Sequence, residues 1–215
     1  MKKNYNGYFV TGTDTNIGKT IISAILVEKI KGVYWKPIQC GLNENGLKDS
    51  EIVKKILKLE KKRIFKEVYF FKDPISPNLA SHNCNIRVSM KLLKSSVPDC
   101  KRPTIIEGAG GLLVPINKKE LIIDLIVKIN FPVIIVSSTK LGTINHTLLS
   151  IEALKKRNQK LHGIIFVGDE NKKVIDTIFN FSKKIFNRSK ILGVVPYYKK
   201  LNKKNIKKAV NLISV

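Results

Sequence analysis

The sequence is short of several things at once, and each shortage removes a class of protein. Only three cysteines occur in 215 residues, Cys40, Cys84 and Cys100, and no two have C-x-x-C spacing. So odd and scattered a set gives neither a disulfide framework nor a zinc site, and a reducing cytoplasm is the expected compartment. No apolar run approaches the roughly 18–20 residues that a membrane span requires. The opening MKKNYNGYFVTG is basic, but its apolar stretch lasts a few residues before a glycine-bearing loop. It is expected to be a first strand, not a signal peptide. Acidic residues are scarce, 16 against 40 basic ones, for a formal net charge of +24. That balance suits a nucleic-acid binder, yet only five of the forty are arginine, whose fork best fits phosphates and bases. The lysines spread over the whole chain, with mild clusters at 54–63 and 199–208, and isoleucine and asparagine are abundant too. The expectation is therefore a solvated lysine surface, with no nucleic-acid and no membrane partner. Steering of an anionic substrate stays open.

What is present is regular. With 43% hydrophobic and 26% charged residues the chain falls among globular proteins. No repeat, low-complexity tract or Pro/Gly/Ser linker divides it, so one domain over 1–215 is expected. Short β-branched runs predict strands at 8–11, 33–36, 104–106, 133–137, 164–167 and 191–194. Longer amphipathic stretches predict helices at 19–31, 50–59, 89–93, 122–128, 144–156, 173–186 and 203–212. Continuous apolar strands such as VIIV imply burial on both faces, and alternation with helices implies parallel pairing. The class is α/β, a mostly parallel open sheet with helices on both faces. Ligands in such sheets lie beyond the carboxyl ends of the strands, so the residues after each strand are the ones to read.

After the first strand stands GTDTNIGKT, residues 12–20. A helix starting here offers unpaired N–H groups and a positive dipole end to a phosphate. Gly18 permits close backbone approach, Lys19 can reach the β- and γ-phosphates, and the Thr20 hydroxyl can bind Mg²⁺. Five residues rather than four separate Gly12 from Gly18, and Thr13 holds the usual first-glycine position. With a strand before and a helix after, the loop is read as a P-loop for ATP. Lys36 closes the second strand ahead of Pro37-Ile38-Gln39-Cys40-Gly41. Glu107 follows the third, ahead of Gly108-Ala109-Gly110-Gly111, where a carboxylate ending a buried strand suits a Mg²⁺ ligand, direct or through an intervening group. After the fourth strand, Gly142 and Thr143 resemble a helix start with Thr143 as N-cap, an end that can also hold a carboxylate. His146 is read as a structural histidine, and Cys40, with no paired base, as a packing or polar contact.

Four motifs in order, TGTDTNIGKT (11–20), KPIQCG (36–41), EGAGG (107–111) and KLGTINH (140–146), resemble dethiobiotin synthetase over nearly the whole chain. The resemblance implies a seven-stranded, mostly parallel P-loop sheet and a homodimer with the substrate site at its interface. It implies the closure of the ureido ring of dethiobiotin from 7,8-diaminononanoate, CO₂ (or bicarbonate) and ATP with Mg²⁺, through a carbamate and a carbamic-phosphoric anhydride. By the same resemblance Lys19 and Lys36 are catalytic, Lys36 stabilising the carbamate and the moving phosphoryl group. Asn16, Ile17, Gly18, Lys19, Thr20, Ile21, Glu51, Glu107, Gly108, Ala109 and Gly110 would bind nucleotide. Val167, Gly168, Pro196, Tyr197 and Tyr198 would line its base. Thr20, Glu51 and Glu107 would hold the metal. Thr15, Lys36, Cys40, Gly142, Thr143 and Asn145 would bind substrate, the last three from the partner subunit.

Three positions depart from the family pattern. Cys40 replaces a serine. The metal-binding aspartate falls on Glu51, with Asp49 the alternative. Val167-Gly168 stands where an asparagine reads adenine, which implies relaxed nucleotide selectivity. A regulatory ATPase of the ParA/MinD type is the rival, but its signature lysine would fall on Asp14. A cobyrinate-type amidotransferase would need a glutaminase domain for which 215 residues leave no room.

Overall fold

The computed structural model describes residues 6–198 and 202–215; Lys199 and Lys200 of the second lysine cluster lie outside them. The chain begins with β1 (Gly7–Gly12), α1 (Lys19–Lys29), β2 (Val33–Trp35), β3 (Ile38–Cys40) and α2 (Asp49–Leu57). A 3₁₀ turn at Lys61–Arg63 leads to β4 (Ile64–Phe65), β5 (Tyr69–Phe71), α3 (Pro77–Asn83) and α4 (Met90–Ser95). Then strands and helices alternate: β6 (Thr104–Glu107), α5 (Ile122–Ile129), β7 (Val133–Ser138), α6 (Thr143–Lys156), β8 (Leu161–Val167), α7 (Lys172–Ile185), β9 (Ile191–Val195) and α8 (Lys203–Val210).

Seven strands form one sheet in the order β4-β2-β6-β1-β7-β8-β9, and each neighbouring pair is parallel. The expected class is therefore the observed one. Side chains alternate across the sheet. Phe9, Trp35, Ile106, Ile135 and Phe166 face one core, shared with α4 to α7. Val10, Tyr34, Ile105, Ile134 and Val136 face the other, shared with α1, α2 and α8. The order places β1 between β6 and β7, so the chain reverses its direction of winding beside β1. This is where a crevice opens at the carboxyl edge.

All six expected strands and all seven expected helices exist, with ends shifted by at most three residues. The second strand stops at Trp35, not Lys36, because Pro37 follows and cannot donate to a ladder. Its carbonyl instead accepts from Val68 and Tyr69 N–H, starting the small parallel pair β3–β5 that sequence periodicity did not reveal. Thr143 is not the N-cap of α6. Gly142 holds that place with φ 91°, and Thr143 is the first helical residue. Beyond α8, Ile213 bridges Gly193 of β9 in antiparallel sense and Ser214 N–H donates to Leu192 C=O at 2.7 Å. A side chain at Gly193 would collide with Leu212 C=O, which explains the glycine.

Ile134 is fully buried in β7, whereas Val127 of α5 is 39% exposed. Ile134→Ala should lower unfolding free energy by about 2–5 kcal/mol, and Val127→Ala should change it by less than about 0.5 kcal/mol, both read from urea titrations.

Candidate active site

The loop after β1 is held before any ligand arrives. Thr13 N–H donates to Val136 C=O at 3.0 Å, tying the loop to β7. Gly18 caps α1 in the left-handed region at φ 95°, and a Cβ there would lie 3.3 Å from Val167 Cγ1. The residue must be glycine for conformation, and space is tight as well. Asn16 also has positive φ, 52°. The Lys19 ammonium folds back onto the loop and donates to Asp14 C=O at 2.8 Å. Burial pulls the pKa of Lys19 down to about 8, opposed by the charge of Glu107. Ile17 is buried and Ile21 half-buried in the core beneath.

Two strand ends and two helix starts then converge. Glu107, the last residue of β6, is fully buried. Its Oε1 accepts from Thr20 Oγ1 at 2.9 Å and from Lys36 Nζ at 3.1 Å, while Oε2 accepts from the Tyr34 hydroxyl at 2.8 Å. Lys36 Nζ also donates to Asp49 Oδ2, at the start of α2. Burial alone would lower the pKa of Lys36, but Glu107 and Asp49 outweigh it and hold the amine above the ordinary lysine value. Lys36 is a fixed cation between two carboxylates. The glycines after Glu107 let the chain turn beneath β1: Gly108 N–H donates to Val10 C=O at 2.9 Å, and a Cβ on it would meet the Phe9 ring at 2.9 Å. Gly110 takes φ 70°, and Ala109 is half-buried between them.

Of the two candidates on α2, the structure brings Asp49 to the site and not Glu51. Glu51 is exposed, and its Oε2 accepts from Lys48 N–H at 2.8 Å, capping the helix. A glutamate at the third helical position naturally reaches back to the N-cap amide, whereas the first position points onward. Asp49 is steadied by its own N–H, donated to Gln39 Oε1 at 3.2 Å. Its neighbours are tied to buried Glu67, which accepts from Ser50 Oγ and, at 3.1 Å, from Lys48 Nζ. Tyr34, Gln39 and Glu67 were missed from sequence. For Tyr34 and Gln39 a signal existed: polar groups on otherwise apolar, buried strand positions call for a partner.

The remaining residues lie around this centre. Thr15 is exposed, its N–H donating to Asp14 Oδ1 at 2.6 Å. Cys40 is half-buried; burial pushes its thiol up to about 11 against the pull of Lys36, so it is no nucleophile. Gly168 has φ 130°, and a Cβ there would meet Thr139 Oγ1 at 2.6 Å and the Tyr197 ring at 3.3 Å. Val167, Gly168 and Tyr197 thus gather in one place, where Lys140 Nζ stands 5.6 Å from the Tyr197 ring centre. Pro196 is exposed and Tyr198 packs against the core. The Thr143 hydroxyl is buried, bonded to Ser138 C=O at 2.7 Å and close to the Ser137 and Thr147 hydroxyls. It anchors the start of the helix. Gly142, Asn145 and His146 are exposed at that helix start.

The profile of the AAA domain family matches residues 6–205. The ATP-dependent dethiobiotin synthetase of Christiangramia forsetii is 49% identical over 164 residues, 76% of this chain and 77% of its own length. That of Brucella melitensis biotype 2 is 41% identical over 187 residues, covering 87% and 84%. The chain belongs to the ATP-dependent dethiobiotin synthetase family. Dethiobiotin synthetases are ligases, so the phosphate loop described above is that of an ATP-using ligase. Solved structures resembling it are more distant. A ParA family ATPase from Chlorobium tepidum is 11% identical, with TM-score 0.53 over 96% of this chain and 99% of the other. A plasmid partition protein from Borrelia burgdorferi is 11% identical, with TM-score 0.54 over 97% of each. These share the sheet and helices of dethiobiotin synthetase and show the fold alone. Among the described residues no helix is long and apolar enough to cross a membrane.

Because Lys19 has a pKa near 8 in the free protein, it is charged at pH 7 and loses its proton as pH rises through that value. Triphosphate binding favours the charged form, so ATP binding near pH 8.5 should take up protons. Calorimetry in buffers of different ionisation enthalpy should show the uptake, and Lys19→Met should abolish it.

Proposed function

We propose that this chain closes the ureido ring of dethiobiotin from 7,8-diaminononanoate and CO₂, using ATP and Mg²⁺. The observation that carries this is Lys36, a buried cation held by Glu107 and Asp49 beside the phosphate loop of a dethiobiotin synthetase. One amine of the substrate takes up CO₂ as a carbamate. A carbamate oxygen attacks the γ-phosphorus of ATP, and ADP leaves. The second amine then attacks the carbamoyl carbon, the C–O bond to phosphate breaks, and the ring closes with release of phosphate. Each step gathers or moves negative charge, so fixed positive charge in a buried site is the main catalytic need. Lys36 serves the carbamate and the transferring phosphoryl group, Lys19 the ATP phosphates, and the loop amides from Asn16 to Ile21 orient them. The ammonium of Lys36 is suited to this as a permanent charge, not as a proton donor.

The Thr20 hydroxyl bonded to Glu107, and Asp49 on the other side of the Lys36 ammonium, supply hard oxygen donors beside the phosphate loop. Mg²⁺ takes one or two carboxylates and completes its shell with water and phosphate oxygens, so the set fits. When bound, the ion would neutralise charge on the phosphates. Asp49 rather than Glu51 is the residue we assign to it from α2. Thr15 and Cys40 would face the diamine. Val167, which offers no side-chain hydrogen bond, Gly168, Pro196 and Tyr197 would bracket the base mainly by shape, a reason to expect loose nucleotide choice. The start of α6, with Gly142 and Asn145 exposed, would hold the substrate carboxylate of a second copy. Leu141 and Leu149 beside it are exposed apolar residues that such a copy would cover.

ATP hydrolysis should depend jointly on the diamine, bicarbonate and Mg²⁺, with dethiobiotin detected by mass; turnover of ATP that ignores the diamine would sink the proposal. Lys36→Ala should lower kcat about 10²–10³-fold while ATP affinity moves little. Asp49→Asn should raise the Mg²⁺ needed for half-maximal rate at least about tenfold, and Glu51→Gln should leave it unchanged. The opposite order in that pair would return the metal to Glu51.

A further inference from the structure

We propose that Tyr34 is a positioning residue for Glu107: its buried hydroxyl engages one carboxylate oxygen and leaves the other turned toward Thr20 and Lys36. The inference rests on the reading of Glu107 as a metal-binding carboxylate. Tyr34 of β2 lies beside Ile105 of β6, and Glu107 stands two residues further along, on the same face. The phenol therefore reaches up the groove between two strands to meet the carboxylate from below, at 2.8 Å.

The two oxygens of Glu107 are thereby sorted. Oε2 is met by Tyr34, while Oε1 accepts from both Thr20 and Lys36. A carboxylate has about four acceptor positions on two oxygens, so nothing in Glu107 itself makes this division. Tyr34 does, because its ring is fully buried in the packed core, among Val10, Val53, Leu57 and Ile105. Burying a phenol hydroxyl costs free energy unless it is hydrogen-bonded, and phenylalanine would fill the same space without that cost. The hydroxyl is explained by what it holds.

Without it, the carboxylate is free to rotate and set both oxygens against the Lys36 ammonium, which would compete with a cation for them. Hydrogen bonds that orient a metal-binding side chain typically matter about 10–100-fold in affinity. A neutral phenol donor on one of several ligands belongs at the lower end.

Binding of Mn²⁺, as a spectroscopic stand-in for Mg²⁺, is measured by electron paramagnetic resonance with the full chain and saturating ADP. Tyr34→Phe should weaken Mn²⁺ about tenfold and raise the Mg²⁺ needed for half-maximal turnover by a similar factor, with kcat at saturating Mg²⁺ nearly kept. ADP affinity without metal should stay the same. In a Glu107→Gln background the added Tyr34→Phe change should have no further effect on Mn²⁺, since the partner is gone. Tyr34→Met, also apolar and lacking the hydroxyl, should repeat the loss and serves should the first variant fold poorly. Unchanged Mn²⁺ affinity in either folded Tyr34 variant, with Glu107→Gln weakened, overturns the positioning role alone. A loss of stability to urea with no shift in Mn²⁺ affinity does the same. Normal Mn²⁺ binding by Glu107→Gln overturns the metal assignment as well.

Discussion

Lys36 sits buried between two carboxylates, and that arrangement sets terms for everything near it. Burial alone would pull the Lys36 ammonium toward its neutral form, and the two carboxylates outweigh that pull. Removing one partner of a buried pair leaves the other uncompensated, at a typical cost of about 3–5 kcal/mol, so the members stand or fall together. Lys19 lies close enough to feel both carboxylates and Lys36. Asp14 acts on Lys19 as well, so two cations face three anions here. A nucleotide entering that balance brings a large negative charge, so a site of this kind has reason to admit a divalent cation with its phosphates.

The sheet makes the meeting possible. Because every neighbouring pair of strands is parallel, all carboxyl ends lie on one edge. β2 and β6 are neighbours although some seventy residues apart in sequence, which sets Lys36 beside Glu107. β1 on the other side of β6 delivers Thr20 on the first turn of α1. Asp49 comes from none of these strands. It depends on where α2 begins, and that start is governed by Gln39, by Glu67 and by Glu51 acting as a cap.

Those three levels of control explain what could be read from residues alone. The strands of the sheet centre, such as VIIV at 133–136, were legible because burial on both faces demands unbroken apolar character. The loop motifs were legible because phosphate chemistry leaves little freedom in residue type. β4, with two residues, and the β3–β5 pair were not, since neither carries enough periodicity to register. Which of Asp49 and Glu51 faces Lys36 depends on one residue of helix phase. A start read at Ser50 rather than Asp49 hides the fact that Glu51 occupies the third helical position, where its side chain reaches back to the N-cap amide. Thr143 shows a similar limit: its hydroxyl has nearby buried acceptors in Ser137 and Ser138 that only the folded chain brings close.

The return of residues 213 and 214 onto β9 has a consequence beyond local packing. An open sheet presents rows of unpaired amides and carbonyls at its two edges, and these can template pairing with another chain. Here one edge strand, β4, is only two residues long, too short to recruit a neighbour. The other is partly occupied by the bridge from Ile213 to Gly193 and by the Ser214 amide on Leu192. Association along the edges of this sheet is thus disfavoured, whereas side-chain surfaces, which recognise shape, can stop at two.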